Sequence, residues 1–215
     1  MSEKLNYPVL KNKDTIFIDE KASFGKNVVI YENVRIEGDC FIGDNTVIMP
    51  NTYILDSTIG KNCVIKCSYI ENSQIKNDVN IGPYAHLRPN SIIENGAKIG
   101  NFVEIKNATI GENSKVSHLA YVGDAILGKE CNVGCGAIFV NYNGKEKNKT
   151  IVGDNVFIGS NCNVIAPVKI SSNSYIVAGT TITDTVNEDD FVIGRVRQEN
   201  KPNRANKYLK KYIKD

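Results

Sequence analysis

An aliphatic residue recurs at intervals of six through most of this chain. The series runs Phe24, Ile30, Ile36, Ile42, Ile48 and Ile54, then Ile59, Ile65, Ile70, Ile75, Ile81, Leu87, Ile93, Ile99, Ile105, Ile110, Val116, Val122, Leu127, Val133 and Phe139. After a break it resumes at Val152, Ile158, Val164, Ile170, Ile176 and Ile182. Such a period fits neither the ~3.6 residues of a helical turn nor the two-residue alternation of a half-buried strand. It fits a chain that turns a corner once per unit and stacks coil upon coil.

Units such as Ile42-Gly43-Asp44-Asn45-Thr46-Val47 and Ile59-Gly60-Lys61-Asn62-Cys63-Val64 show the logic. The aliphatic residue points to the axis. The small residue four places later (Val28, Cys40, Thr46, Thr52, Cys63, Ala97, Cys131, Cys162) fits an inward corner. The third and fourth places favour Gly, Asn and Asp, which tolerate left-handed backbone angles. Three units make a triangular coil. The predicted fold is therefore all-β, a left-handed parallel β-helix of about nine coils, roughly 40 Å tall at the ~4.8 Å spacing of paired strands. Five-residue units at Ile54, Ile65, Ile70, Ile105 and Val122 read as single deletions at corners. Residues 1–23 are expected to lead into or cap the first coil, and 24–187 to form the solenoid with a loop extruded at 141–150. Residues 188–215 read as a basic arm, with a short helix near Asn203–Ile213.

At 215 residues, one elongated domain accounts for the chain. A net charge of +2 gives no overall drive toward nucleic acid. No apolar run is long enough to span a membrane, and the N-terminus lacks the pattern of a signal peptide. Of the six cysteines, Cys40, Cys63, Cys131 and Cys162 fall at the small inward place, which points to core packing in a reduced cytoplasm. Cys67 and Cys135 occupy the third place instead.

Coil arithmetic turns the repeat into a map. Ile99, Val116, Val133, Ile158 and Ile176 open the same face of successive coils, so Asn101, His118, Cys135, Ser160 and Ala178 should form one vertical ladder. His118 suits proton transfer near neutral pH. The small residues above it leave a groove for a thin ligand, with a backbone N–H near residue 135 available to an oxyanion. Leu87 and Ile105 open the second face of adjacent coils, which stacks Arg88 on Lys106. Like charges about 5 Å apart suggest an anion such as phosphate. Glu104 and Tyr121 approach the same corner. The polar segment Asn141–Thr150 interrupts the repeat and is a candidate site component.

Several stretches resemble the acetyltransferase domain of bacterial bifunctional N-acetylglucosamine-1-phosphate uridyltransferase/glucosamine-1-phosphate acetyltransferase. They are Ile81-Gly82-Pro83-Tyr84-Ala85-His86-Leu87-Arg88-Pro89, Gly100-Asn101-Phe102-Val103-Glu104-Ile105-Lys106, and Ser117-His118-Leu119-Ala120-Tyr121-Val122-Gly123-Asp124-Ala125. Asn132-Val133-Gly134, Asn141-Tyr142-Asn143-Gly144 and Arg195-Val196-Arg197-Gln198 add to them. The resemblance implies acetyl transfer from acetyl-CoA to the 2-amino group of glucosamine 1-phosphate, with no metal needed for that step. It implies His118 as general base with Glu104 orienting or balancing it, and Arg88 and Lys106 on the sugar phosphate. Tyr121, Asn132, Asn141, Tyr142 and Lys147 would complete the acceptor site. Cys135, Ser160, Ala178 and Arg195 would line the acetyl-CoA groove. It also implies a homotrimer with sites between prisms.

Two departures stand out. Cys135 replaces an Ala common in the family. The family's nucleotide-binding domain, with its Gly-rich phosphate loop, has no counterpart in these residues, so no uridyltransfer is expected of them, and a separate nucleotidyltransferase is a possible partner. Two alternatives remain open: another amino-sugar acceptor, including a nucleotide-linked one, or a silent trimeric scaffold. The zinc carbonic anhydrases of this fold need three histidines, and the chain has 2.

Overall fold

The computed structural model describes residues 7–209. The chain winds around a triangular prism and visits three parallel sheets in turn. Among the described residues, the first sheet holds 11 strands from Val9–Leu10 to Phe191–Val192, the second 10 from Phe17–Ile18 to Thr181–Ile182, and the third 9 from Ser23–Phe24 to Val168–Ile170. The result is about ten turns of left-handed β-helix. Strand pairing thus extends past the expected 24–187 limits at both ends. The expected C-terminal helix is present as Asn206–Leu209, and its remainder falls outside the described residues. No helix among the described residues is long and apolar enough to cross a membrane.

The repeating aliphatic residues form the axis. Ile30 through Ile182 on that list are at most 3% exposed, and Phe139 is fully buried. In-register pairs such as Ile30↔Ile48, Ile48↔Ile65 and Ile99↔Val116 place each directly over the last. Cys40, Cys63, Cys131 and Cys162 are buried in the same core, while Cys67 is half-buried and Cys135 exposed. Burial pushes the thiols of Cys40, Cys63 and Cys131 above their ordinary pKa.

The corners explain the asparagines. Asn27, Asn45, Asn62 and Asp78 occupy successive rungs of one corner with φ of 58°, 59°, 57° and 61°. Each amide also donates to the next rung: Asn27 to Asn45 at 3.0 Å, Asn45 to Asn62 at 3.2 Å, and Asn62 to Asp78 at 3.0 Å. The residue type that tolerates the left-handed turn thus also supplies a side chain that joins the coils.

Candidate functional site

The second sheet and its two bounding corners carry the candidate site. Strands Glu104–Lys106 and Tyr121–Gly123 pair with Glu104 opposite Tyr121 and Lys106 opposite Gly123. Leu87 opposite Ile105 puts Arg88 beside Lys106 one coil apart, as the spacing requires. The pairing differs from an unpaired stack of cations, because Arg88 Nη1 donates to Glu104 Oε1 at 2.8 Å. That carboxylate is the first cause that raises the Arg88 pKa above its ordinary value.

Lys106 stays the free cation of this group, and Lys147 reaches it from the extruded loop. The loop is a small hairpin, closed by the Tyr142↔Lys147 bridge and by the Asn148 N–H on the Asn141 carbonyl at 2.7 Å. Contact with Lys147, then desolvation, then the charge of Arg88 hold the Lys106 pKa below its ordinary 10.5, against an opposing pull from Asp124. Three cationic side chains from residues far apart in sequence therefore converge where an anion would relieve their repulsion. This has a pH consequence. A phosphate monoester is already dianionic above pH ~7. Lys106 is charged only below its lowered pKa, so phosphate affinity should begin to fall at a lower pH than an ordinary lysine would dictate, with proton uptake on binding in that range. Calorimetry in buffers of differing ionisation enthalpy reads this directly, and Lys106→Ala should remove the uptake.

His118 lies at the corner between the first and second sheets. Its Nδ1 is 2.6 Å from Asn101 Oδ1, one rung below in direct register. An amide oxygen only accepts, so the contact favours the Nδ1–H tautomer of the neutral ring, in which Nε2 is the basic nitrogen. The sequence reading put Asn101 on this ladder but gave the orienting role to Glu104, whose hydrogen bond goes to Arg88. Above His118 the ladder rises as expected: Asn161 N donates to the Cys135 carbonyl, and Gly179 N to that of Ser160, both at 2.8 Å. Cys135, Ser160 and Ala178 are exposed. The Arg195 side chain lies over Gly179, with its Cδ 3.3 Å from where a Cβ would stand there.

Two groups gather differently. Asn132 sits on the outer surface of the first sheet, between Lys115 and Phe157, rather than beside Arg88 and Lys106. Tyr142 is exposed and turns its hydroxyl to the Gly144 carbonyl of its own loop at 2.8 Å. Asn141, by contrast, is 8% exposed and donates to the Tyr121 hydroxyl at 3.3 Å. Three further residues beside His118 escaped sequence reasoning. Tyr84, Phe102 and Leu119 hold φ of 59°, 55° and 46°, yet each is more than half exposed. The rings of Tyr84 and Phe102 stack at 5.3 Å.

Comparison with known proteins fits this architecture. Residues 69–141 match the family described as GMPPB C-terminal domain, and residues 39–68 and 149–184 match bacterial transferase hexapeptide repeats. The chain is 56% identical over 185 residues to the bifunctional protein GlmU of Caldicellulosiruptor saccharolyticus, covering 86% of this chain and 40% of that one. It is 48% identical over 196 residues to GlmU of Listeria monocytogenes, covering 91% and 43%. An Arabidopsis UDP-N-acetylglucosamine acyltransferase superposes with a TM-score of 0.59 over 81% of this chain and 68% of its own, at 18% identity, a likeness of fold alone. The prism and its repeats define a hexapeptide-repeat β-helix protein. Over 86–91% of its own length the chain is similar to the bifunctional GlmU proteins, and it spans 40–43% of the length of these relatives.

Proposed function

We propose that this chain transfers the acetyl group of acetyl-CoA to the 2-amino group of glucosamine 1-phosphate. The observation that carries the reading is the pairing of an exposed histidine, held through Nδ1 by Asn101, with a convergent set of cations on the adjoining sheet. His118 removes a proton from the sugar ammonium, which frees the amine to attack the thioester carbonyl. The negative charge that develops on the carbonyl oxygen is met by a backbone N–H near residue 135. Collapse expels the coenzyme thiolate, which takes up a proton. Arg88, Lys106 and Lys147 hold the sugar phosphate, with Tyr121 and Asn141 beside the sugar. Ser160, Ala178 and Arg195 line the path of the coenzyme beyond Cys135.

Thiol release by the purified protein, with acetyl-CoA and each of glucosamine 1-phosphate, glucosamine and a UDP-linked amino sugar, tests the reading. Release that depends on glucosamine 1-phosphate supports it. Equal release with unphosphorylated glucosamine defeats the phosphate role, and release with the nucleotide-linked sugar alone replaces the acceptor.

The proposal includes a homotrimer in the cytoplasm. A bulky residue held left-handed costs about 1–2 kcal/mol, and the stack of Tyr84 on Phe102 still leaves all three side chains more than half exposed. Packing of Tyr84, Phe102 and Leu119 against a second copy offsets that cost and places His118 at the seam. Phe102→Asp is expected to turn the trimer into monomers on analytical ultracentrifugation and to abolish turnover while the circular dichroism of the solenoid persists. A variant that remains trimeric would assign the ridge elsewhere.

A further inference from the structure

Tyr121 and Asn141 meet only because of two residues to which sequence reasoning gave no role. At Gly123, a Cβ would stand 2.3 Å from the Tyr121 hydroxyl oxygen and 2.8 Å from Asn141 Nδ2, so a larger residue would drive the pair apart. Next to it, Asp124 is 8% exposed, with a carboxylate held by two amide donors. Asn107 Nδ2 donates to its Oδ1 and Asn141 Nδ2 to its Oδ2, each at 2.5 Å. Its backbone carbonyl also accepts from Thr150 N at 3.1 Å. Asp124 therefore grips both ends of the extruded loop, one through its side chain and the other through its backbone.

We propose that Asp124 is a positioning residue that sets the hydrogen-bonding polarity of the acceptor site through Asn141 and Tyr121. The inference rests on the acetyltransfer reading and deepens it. A carboxylate accepts and never donates, so it holds the Asn141 amide with its NH2 inward. One N–H of that group is spent on Asp124 and the other on the Tyr121 oxygen. A hydroxyl that accepts from an amide keeps its own hydrogen to give away. Tyr121 thereby meets the amino-sugar phosphate as a donor, suited to a phosphate or hydroxyl oxygen. A buried carboxylate is costly to solvate by protein alone, and an asparagine of the same shape would fill the space more cheaply. What asparagine lacks is the power to fix the orientation of a neighbouring amide.

The test separates polarity from mere anchoring. Asp124→Asn should raise the KM for glucosamine 1-phosphate about tenfold, the loss of one oriented hydrogen bond, with the KM for acetyl-CoA unchanged. The exchanged pair Asp124→Asn/Asn141→Asp restores an amide–carboxylate contact, and with it the thermal midpoint. It forces Tyr121 to donate inward to the new carboxylate, so the sugar KM should stay high and match that of Tyr121→Phe. Recovery of the sugar KM together with the thermal midpoint would reduce Asp124 to a loop anchor, and an unaltered KM in Asp124→Asn would remove the role altogether. If the parent protein turns over no amino-sugar phosphate, the acetyltransfer reading itself falls and takes this role with it. An active parent with an indifferent Asp124→Asn sinks the positioning role alone.

Discussion

Replacing His118 with alanine is expected to lower kcat by about 10²–10⁴ while acetyl-CoA binds as before. The first half follows from the state of the ring. Asn101 Oδ1 accepts from Nδ1 at 2.6 Å, which leaves Nε2 as the basic nitrogen of the neutral ring on an exposed corner. No other histidine is placed to substitute: His86 stands edge-on to Tyr69, with ring centres 5.1 Å apart, and lies 3.4 Å from Glu71. The second half follows from the ladder, since Ser160, Ala178 and the Arg195 side chain lie above His118 on later coils. An exposed side chain that packs against nothing in the core also leaves the fold intact, so thermal unfolding should be unchanged. Steady-state kinetics and calorimetric titration of the coenzyme read the two halves separately. Weakened coenzyme binding with unchanged kcat would move His118 from chemistry to the groove.

The fold was legible because each unit commits its first residue to the axis. A column of isoleucines can be buried in this way only if coils are in register, and register then predicts neighbours. Asn101 over which His118 sits, Glu104 beside Tyr121 and Arg88 beside Lys106 all follow from counting along the chain. Counting fails where the pattern lacks its cause. The first strand, Val9–Leu10, escaped because an inward residue on the end coil has nothing beneath it, and Leu10 is 38% exposed. It fails again where neighbours choose among partners. Glu104 lies within reach of more than one polar group, and only the built side chains show it on Arg88 and leave the histidine to Asn101. Asp124 was hidden for a different reason. It occupies a left-handed corner place, φ 47°, where Asn and Asp serve most rungs as turn residues on the surface. Its burial beneath the loop, and so its second task, depends on the insertion that follows at Asn141.

Arg88→Ala should separate recognition of phosphate from recognition of the amine. The expected result is a fall in kcat/KM of about 10–100-fold for glucosamine 1-phosphate, the scale of a charged hydrogen bond, with little change for unphosphorylated glucosamine. The loss has two sources. Arg88 supplies one of the three charges that converge with Lys106 and Lys147, and it neutralises Glu104. Without the guanidinium, the Glu104 carboxylate faces the same space unpaired and repels the phosphate that Arg88 had attracted. Arg88→Ala/Glu104→Gln removes that repulsion and should recover part of the loss, which truncation of a simple ligand contact would not. Loss of Arg88 relieves the cationic crowding of Lys106 and lets its pKa climb, so the alkaline fall in phosphate affinity should move to higher pH in Arg88→Ala. A drop that is equal for both acceptors would place Arg88 on the sugar or the fold, and not on the phosphate.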